Sequence, residues 1–254
     1  MSIALITPTG ARKDQFALCQ RWMKRQTYTG EVLWIIVDDA VPVTTDIINS
    51  DFRKNWTIVK IYPNPKWSGS NTQARNIKAG TDYLKQNYTR EQIQCIFIIE
   101  DDDYYKVCYL EAMMAHLKNY WMIGETNTIY YNVLWRRFVV NPNRHHASLF
   151  QTAFTWDVLS IFEASFKDKF IDAKFWTMGR NKNLFFDNVL AVGMKGMPGR
   201  GGIGAGHRIS SRDFSSDHDF KFLTKIIGND STYYARYYRN NGKSQQPLFI
   251  KRSL

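Results

Sequence analysis

Five apolar residues, Cys95-Ile96-Phe97-Ile98-Ile99, run straight into four consecutive carboxylates, Glu100-Asp101-Asp102-Asp103, followed by Tyr104-Tyr105. An unbroken apolar run of this length reads as a strand covered on both faces, as in a parallel sheet. The carboxylates then fall where the strand leaves the sheet, at the edge where open α/β folds bind ligands. Four like charges this close repel one another, and their pKa values rise unless something positive lies among them. A divalent cation bridging to a phosphorylated ligand would relieve the crowding, because hard carboxylate oxygens suit Mg2+ or Mn2+. A solvated acidic turn is the alternative, and the strand directly ahead of the run weighs against it.

The chain ahead of this stretch alternates in the same way. Ile3-Ala4-Leu5-Ile6 is a first buried strand, ending at Thr7-Pro8-Thr9-Gly10. Asp14 is placed to cap a helix running to about Arg25, with Phe16, Cys19 and Met23 on its apolar face. Val32 to Val37 is a second buried strand ending in Asp38-Asp39, and Thr57 to Tyr62 is a third, more alternating one. Ser70 and Gln73 form a capping-box candidate for a helix lined by Ala74, Ile77, Thr81 and Leu84, with Arg75 and Asn76 near its start. After the acidic run, Leu110, Met113, Met114 and Leu117 mark another helix. The first 120 residues therefore predict a Rossmann-like, mostly parallel sheet with ligand groups along one edge. No Gly-x-Gly-x-x-Gly follows the first strand and no Walker A lysine occurs, which argues against nicotinamide oxidoreductases and P-loop enzymes.

The second half is less regular. Thr128 to Val140 is strand-rich, Leu149 to Trp156 reads as a strand, and Val158, Ile161 and Phe162 face inward from a helix. Residues 193 to 208 hold 7 glycines in 16 positions, too irregular for a helix or strand, and predict a long functional loop. No repeat or linker divides the chain, so the expectation is one domain over 1–254. No run approaches the 18 apolar residues of a membrane span. The N-terminus lacks a basic signal-peptide region, and three scattered cysteines give no disulfide framework. A cytoplasmic, membrane-free protein is expected.

The ordered set of Thr7-Pro8-Thr9, Asp38-Asp39, Ala74-Arg75-Asn76 and Glu100-Asp101-Asp102-Asp103 resembles the nucleotide-sugar-binding half of GT-A glycosyltransferases, in particular those similar to family 2. The resemblance covers residues 1–120 well and the acceptor-side half, 121–254, loosely. It implies a nucleotide-diphosphate sugar donor, a UDP-sugar by that resemblance, and a Mn2+ or Mg2+ cofactor. Thr7, Pro8 and Thr9 would lie against the nucleoside, Asp38 or Asp39 would accept from the base, and Arg75 would approach the pyrophosphate or ribose. Capping of a neighbouring turn is the other role open to the two aspartates. Asp101 and Asp102 would face the nucleotide, while Asp101 and Asp103, with His207, would hold the metal. Glu100 and Asp102 fit the same spacing, so the register stays open. Lys195, Arg200 and Arg208 would flank the phosphates. The general base would be Asp187, ahead of Val189–Val192 where family members open a helix; Phe186 replaces the glutamate expected before it, and Asp157 and Asp172 are rivals.

Lys and Arg outnumber Asp and Glu by 34 to 23, a net charge of +11, and from Lys195 onward 11 basic residues face 4 acidic ones. Such an excess points to a polyanionic partner. Between Phe214 and Tyr238 aromatics interleave with lysines and arginines, a pattern that serves either base stacking or packing on the core. Together these features favour DNA as acceptor and resemble phage enzymes that glycosylate a hydroxymethylated pyrimidine, acting in the host cytoplasm. A surface glycan or lipid-linked sugar is the alternative acceptor. A nucleotidyltransferase is the alternative enzyme, although only Gly10-Ala11-Arg12-Lys13 stands where its glycine-rich basic loop would be.

Overall fold

A computed structural model describes residues 2–40, 52–65, 72–186, 189–199 and 214–238. The chain runs β1 (Ile3–Thr9), α1 (Lys13–Lys24), β2 (Val32–Asp38), β3 (Trp56–Ile61), α2 (Thr72–Asn87), β4 (Cys95–Ile98), β5 (Tyr104–Tyr105) and α3 (Tyr109–Leu117). It continues through β6 (Met122–Glu125), β7 (Asn127–Asn132), β8 (Arg137–Pro142), β9 (Thr152–Thr155), α4 (Leu159–Ala164), α5 (Ile171–Met178), β10 (Lys182–Phe185) and β11 (Ala191–Lys195). β12 (Ser215–Ser216), α6 (Lys221–Ile227) and α7 (Thr232–Ala235) follow.

Among the described residues the central sheet has seven strands in the order β3-β2-β1-β4-β9-β6-β10. All neighbours are parallel except β9, which runs antiparallel to both β4 and β6. Every residue of β1 and β2 is buried, as their continuous apolar runs require, while β3 at the edge alternates. The strand alternation divides the core into two layers. Ile3, Leu5, Trp34 and Phe97 pack with Phe16 and Trp22 of α1 and with Leu110 and Met113 of α3. Ala4, Ile6, Ile35 and Ile96 pack on the other face with Ile77 and Leu84 of α2, Phe162 of α4 and Phe175 of α5. Each large side chain so buried contributes about 1.5–3 kcal/mol.

A smaller sheet, β12-β8-β7-β11-β5, adjoins the carboxyl edge of the large one. β5 follows directly on Asp103 and pairs antiparallel with β11, Val192 opposite Tyr104. β11 in turn pairs parallel with β7, Lys195 opposite Asn132. The acidic run is therefore clamped between the end of β4 and a strand from the second half.

Three local expectations need correction. Asp14 lies in the first turn of α1 rather than at its cap, which is Arg12. Gly193 to Lys195 belong to β11, because pairing with β7 and β5 outweighs their glycine-rich composition. Ala191 and Val192 open that strand, so no helix begins at 189–192. Ser70 of the capping box lies outside the described residues, as do Asp187, Arg200, His207 and Arg208. No helix among the described residues is long and apolar enough to cross a membrane.

Candidate functional site

β1, β2 and β4 end at the same edge, with Thr9 opposite Asp38 and Ile6 opposite Ile98. The loops leaving that edge bring Arg12, Glu100, Asp101, Asp102 and Asp103 together, and β11 adds Lys195. Asp101 is held on both oxygens: Arg12 Nη1 donates to Oδ1 at 2.7 Å and Thr9 Oγ1 to Oδ2 at 2.6 Å. Arg12 also lies 3.4 Å from Asp102 Oδ1. Lys195 Nζ donates to Asp103 Oδ1 at 2.8 Å and stands 3.5 Å from Asp102 Oδ2. The Met194 backbone N–H adds a 2.9 Å bond to the same Asp103 oxygen.

The other oxygen, Asp103 Oδ2, is buried without a hydrogen-bond donor among the described residues. Glu100 lies within side-chain reach of Asp103. One oxygen each from Glu100, Asp102 and Asp103 lies within 4.8 Å of the others, a spacing able to hold a metal ion. A buried carboxylate oxygen facing a second carboxylate demands a proton or a cation, so the residues present fit a hard divalent ion. Asp101 has both oxygens committed to Thr9 and Arg12, which turns it from this cluster towards the β1–α1 loop.

Burial raises the pKa of Glu100, Asp101 and, most of all, Asp103; the nearby cations Lys195 and Arg12 oppose it. Burial alone would lower the pKa of Arg12 and Lys195, but the surrounding carboxylates more than offset it and raise both. Among the described residues, four carboxylates face two cations (4 − 2 = 2), so these six side chains carry a net charge of −2 when all are ionised.

The remaining expected donor contacts divide by geometry. Pro8 is buried in β1, and the Thr7 hydroxyl accepts from the Trp34 indole N–H at 2.9 Å, so both are built into the sheet. Asp38 Oδ1 accepts from the Ala40 N–H at 2.9 Å, the turn-capping role. Asp39 is buried beside it, its N–H donating to the Thr9 carbonyl at 3.2 Å. Arg75 is exposed on the first turn of α2. Its neighbours face the site: Asn76 Nδ2 donates to the Thr9 carbonyl at 3.1 Å and Gln73 Nε2 to Glu100 Oε1 at 2.8 Å. Gly199 closes one side, with a backbone φ of +117° and its Cα so near the Ala11 carbonyl that a Cβ would come within 2.8 Å of the oxygen.

The rival bases separate cleanly. Asp157 follows Thr155, which pairs with Cys95 at the far end of β4, and it is bound to Arg90 at 2.8 Å, away from the carboxylates. Asp172, in the first turn of α5, lies within electrostatic reach of Glu100, and burial raises its pKa. Two groups escaped the sequence reading, Arg12 in the site and Glu125 in the core. Arg12 was visible only as part of a weak basic loop, since its partner lies 89 residues on. Glu125, ending β6, is wholly buried with its carboxylate bound by the Leu190 N–H and Gln151; no sequence pattern marks it. The C-terminal aromatics make contacts with other rings of the chain. Phe222 stacks on Phe138 at 3.5 Å between centroids, Tyr233 meets the edge of Trp22, and Tyr234 accepts from the Trp22 indole.

This mixed α/β architecture, a mostly parallel sheet flanked by helices, is that of GT-A-like glycosyltransferase structures. Crystal structures of Staphylococcus aureus TarS 1-349 match it with a TM-score of 0.54 at 13% identity and, in complex with UDP, 0.53 at 12%. Each match covers 76% of this chain and 60% of the TarS chain, so the likeness is one of fold over part of the longer protein. No protein-family model and no curated protein matches the sequence.

Proposed function

We propose that the protein is a metal-dependent glycosyltransferase that moves a sugar from a nucleotide-diphosphate sugar, a UDP-sugar, to a hydroxyl acceptor. The observation that carries this reading is the buried cluster of Glu100, Asp102 and Asp103 at the carboxyl edge of a GT-A-like sheet, with Asp103 Oδ2 lacking a donor. The UDP complex of the TarS neighbour supports the choice of nucleotide. Residues 1–120 would bind the donor and 121–254 the acceptor.

Glu100, Asp102 and Asp103 would hold Mn2+ or Mg2+, with His207 as a further ligand. The metal, when bound, acts as a Lewis acid that offsets the negative charge gathering on the departing diphosphate. Lys195 and Arg12 supply positive charge at the same edge, and Arg200, Arg208 and Arg75 are the further cations proposed for the phosphates. Thr9 and Asn76 fix the loop against which the nucleoside would lie, and Asp38 or Asp39 would accept from its base. A general base takes the acceptor proton; Asp187 is proposed, with Asp172 as the described carboxylate on the same side of the sheet.

The proposed acceptor is a hydroxymethylated pyrimidine in DNA, as a phage enzyme would use in its host's cytoplasm, and the support is the net charge of +11. A second reading keeps the enzyme but takes a glycan or lipid-linked sugar as acceptor. It is favoured by the burial of Tyr234 and by the ring contacts that Phe222 makes with Phe138 and Tyr233 with Trp22, which leave these rings less free to stack on bases. Mass spectrometry of hydroxymethylated DNA and of glycan acceptors, incubated with a panel of nucleotide sugars and Mn2+, separates the two. Asp103→Asn keeps the oxygen that Met194 and Lys195 bind while offering an amide to Glu100, so it should fold and lose about 10²–10³ in rate. Full turnover by that variant, or in metal-free buffer, removes the metal-dependent mechanism.

A further inference from the structure

Lys195 stands where the proposed mechanism needs a metal ion. Its side chain is 6% exposed and its ammonium shares Asp102 and Asp103, two of the three carboxylates able to ligate a cation. The backbone cannot carry it away, because β11 is paired with β7 and β5, the Lys195 carbonyl accepts from the Val133 N–H at 2.8 Å, and Met194 is bound to Asp103. What remains movable is the four-carbon stem, lying beside the rings of Tyr130 and Phe150 with the ammonium 6.0 and 5.9 Å from their centroids.

We propose that Lys195 is a resident counter-cation that competes with the divalent ion for Asp102 and Asp103 and makes metal binding depend on the donor diphosphate. This rests on the metal-and-diphosphate reading of the same site and adds to it an order of events. A dication entering between Glu100, Asp102 and Asp103 meets a positive charge already on two of its three ligands, so the metal alone binds weakly. A diphosphate arriving at the same edge gives the ammonium a second anionic partner, frees carboxylate oxygens for the metal, and cancels the repulsion. Metal and diphosphate then strengthen each other by the same factor, as linkage requires. The unloaded protein meanwhile keeps a buried acidic cluster from standing unpaired, since removing one partner of a buried ion pair is strongly destabilising.

The test is calorimetric titration of Mn2+ into the wild-type protein, Lys195→Gln and Lys195→Arg, each with and without UDP. The expected result is that Lys195→Gln binds Mn2+ alone at least about tenfold more tightly than wild type, while Lys195→Arg stays weak. UDP should tighten Mn2+ binding at least about tenfold in wild type, within the usual range of such couplings, and much less in Lys195→Gln. Equal Mn2+ affinity in wild type and Lys195→Gln overturns the competition while leaving the metal reading standing. Absence of Mn2+ binding in every protein, with UDP present, overturns both. Should Lys195→Gln fold only when Mn2+ is supplied, the metal is replacing the missing charge, as proposed. A chain that stays unfolded in Mn2+ and UDP overturns the proposal.

Discussion

Glu125 shows what a single buried carboxylate does to this fold. Its Oε1 accepts the Leu190 N–H at 2.8 Å and its Oε2 accepts Gln151 Nε2 at 2.9 Å, tying the end of β6 to the residue just before β11. Burial outweighs these bonds and pushes its pKa from 4.5 up to about 7. The folded state therefore holds this proton more tightly than the unfolded chain. The resulting stability is fully present below about pH 4.5 and is lost as the pH rises through about 7, by up to roughly 3 kcal/mol. Glu100, Asp101 and Asp103 shift in the same direction, so wild type should lose stability on the alkaline side by more than Glu125 alone accounts for. Glu125→Gln removes one titrating group, and Gln151 can turn its amide over to meet the new one, because its other partner is the Thr128 hydroxyl. Urea unfolding at pH 5 and pH 8 should show a smaller pH difference for Glu125→Gln than for wild type. Equal differences would mean that burial does not control this carboxyl.

At the scale of elements, legibility followed how local each signal was. β1, β2 and β4 could be read because both of their faces are covered, which leaves unbroken apolar runs. α1, α2 and α3 showed their buried faces at helical spacing: Phe16, Cys19 and Met23; Ala74, Ile77 and Leu84; Leu110 and Met113. The acidic run was legible as a site, but the division of labour within it was not. Asp101 turns to Arg12 and Thr9 and Asp103 to Lys195, and these partners lie 89 to 92 residues away. β11 was hidden inside a glycine-rich stretch because only its pairing with β7 makes it a strand. The reversed direction of β9 left no mark in its composition. Gly124 is a further case where the neighbour is distant in sequence. It lies in β6 under the ring of Trp176 from α5, and a Cβ there would come 2.5 Å from the indole and 2.3 Å from Ala147 Cβ. Neither atom is the end of a flexible chain, so Gly124→Ala should push α5 off the sheet and cost about 1–3 kcal/mol in urea unfolding. Because α5 also carries Asp172, the rival general base, turnover should fall along with stability. Unchanged unfolding would show that α5 is free to move.

At the scale of the whole molecule, charge and aromatic content separate into different tasks. Of the net charge of +11, +7 comes from residue 195 onward (11 − 4 = 7). The aromatics of the same region are engaged within the chain: Tyr234 is fully buried, Arg21 covers Tyr233 at 4.1 Å, and Arg136 covers Tyr238 at 3.9 Å. Had those rings been free, stacking would add a term that depends little on salt and favours single strands. With the rings buried or covered by arginines, any affinity for DNA should come mainly from phosphate neutralisation. Binding measured by fluorescence anisotropy should then fall by about 10²-fold between 50 and 200 mM salt if about four phosphates are contacted. Duplex should bind at least as well as single-stranded DNA of the same length, because its phosphates are more densely spaced. A flat salt response removes nucleic acid as the acceptor and leaves the glycan reading. A preference for single strands would mean that aromatic rings other than those packed against Trp22 and Phe138 meet the bases.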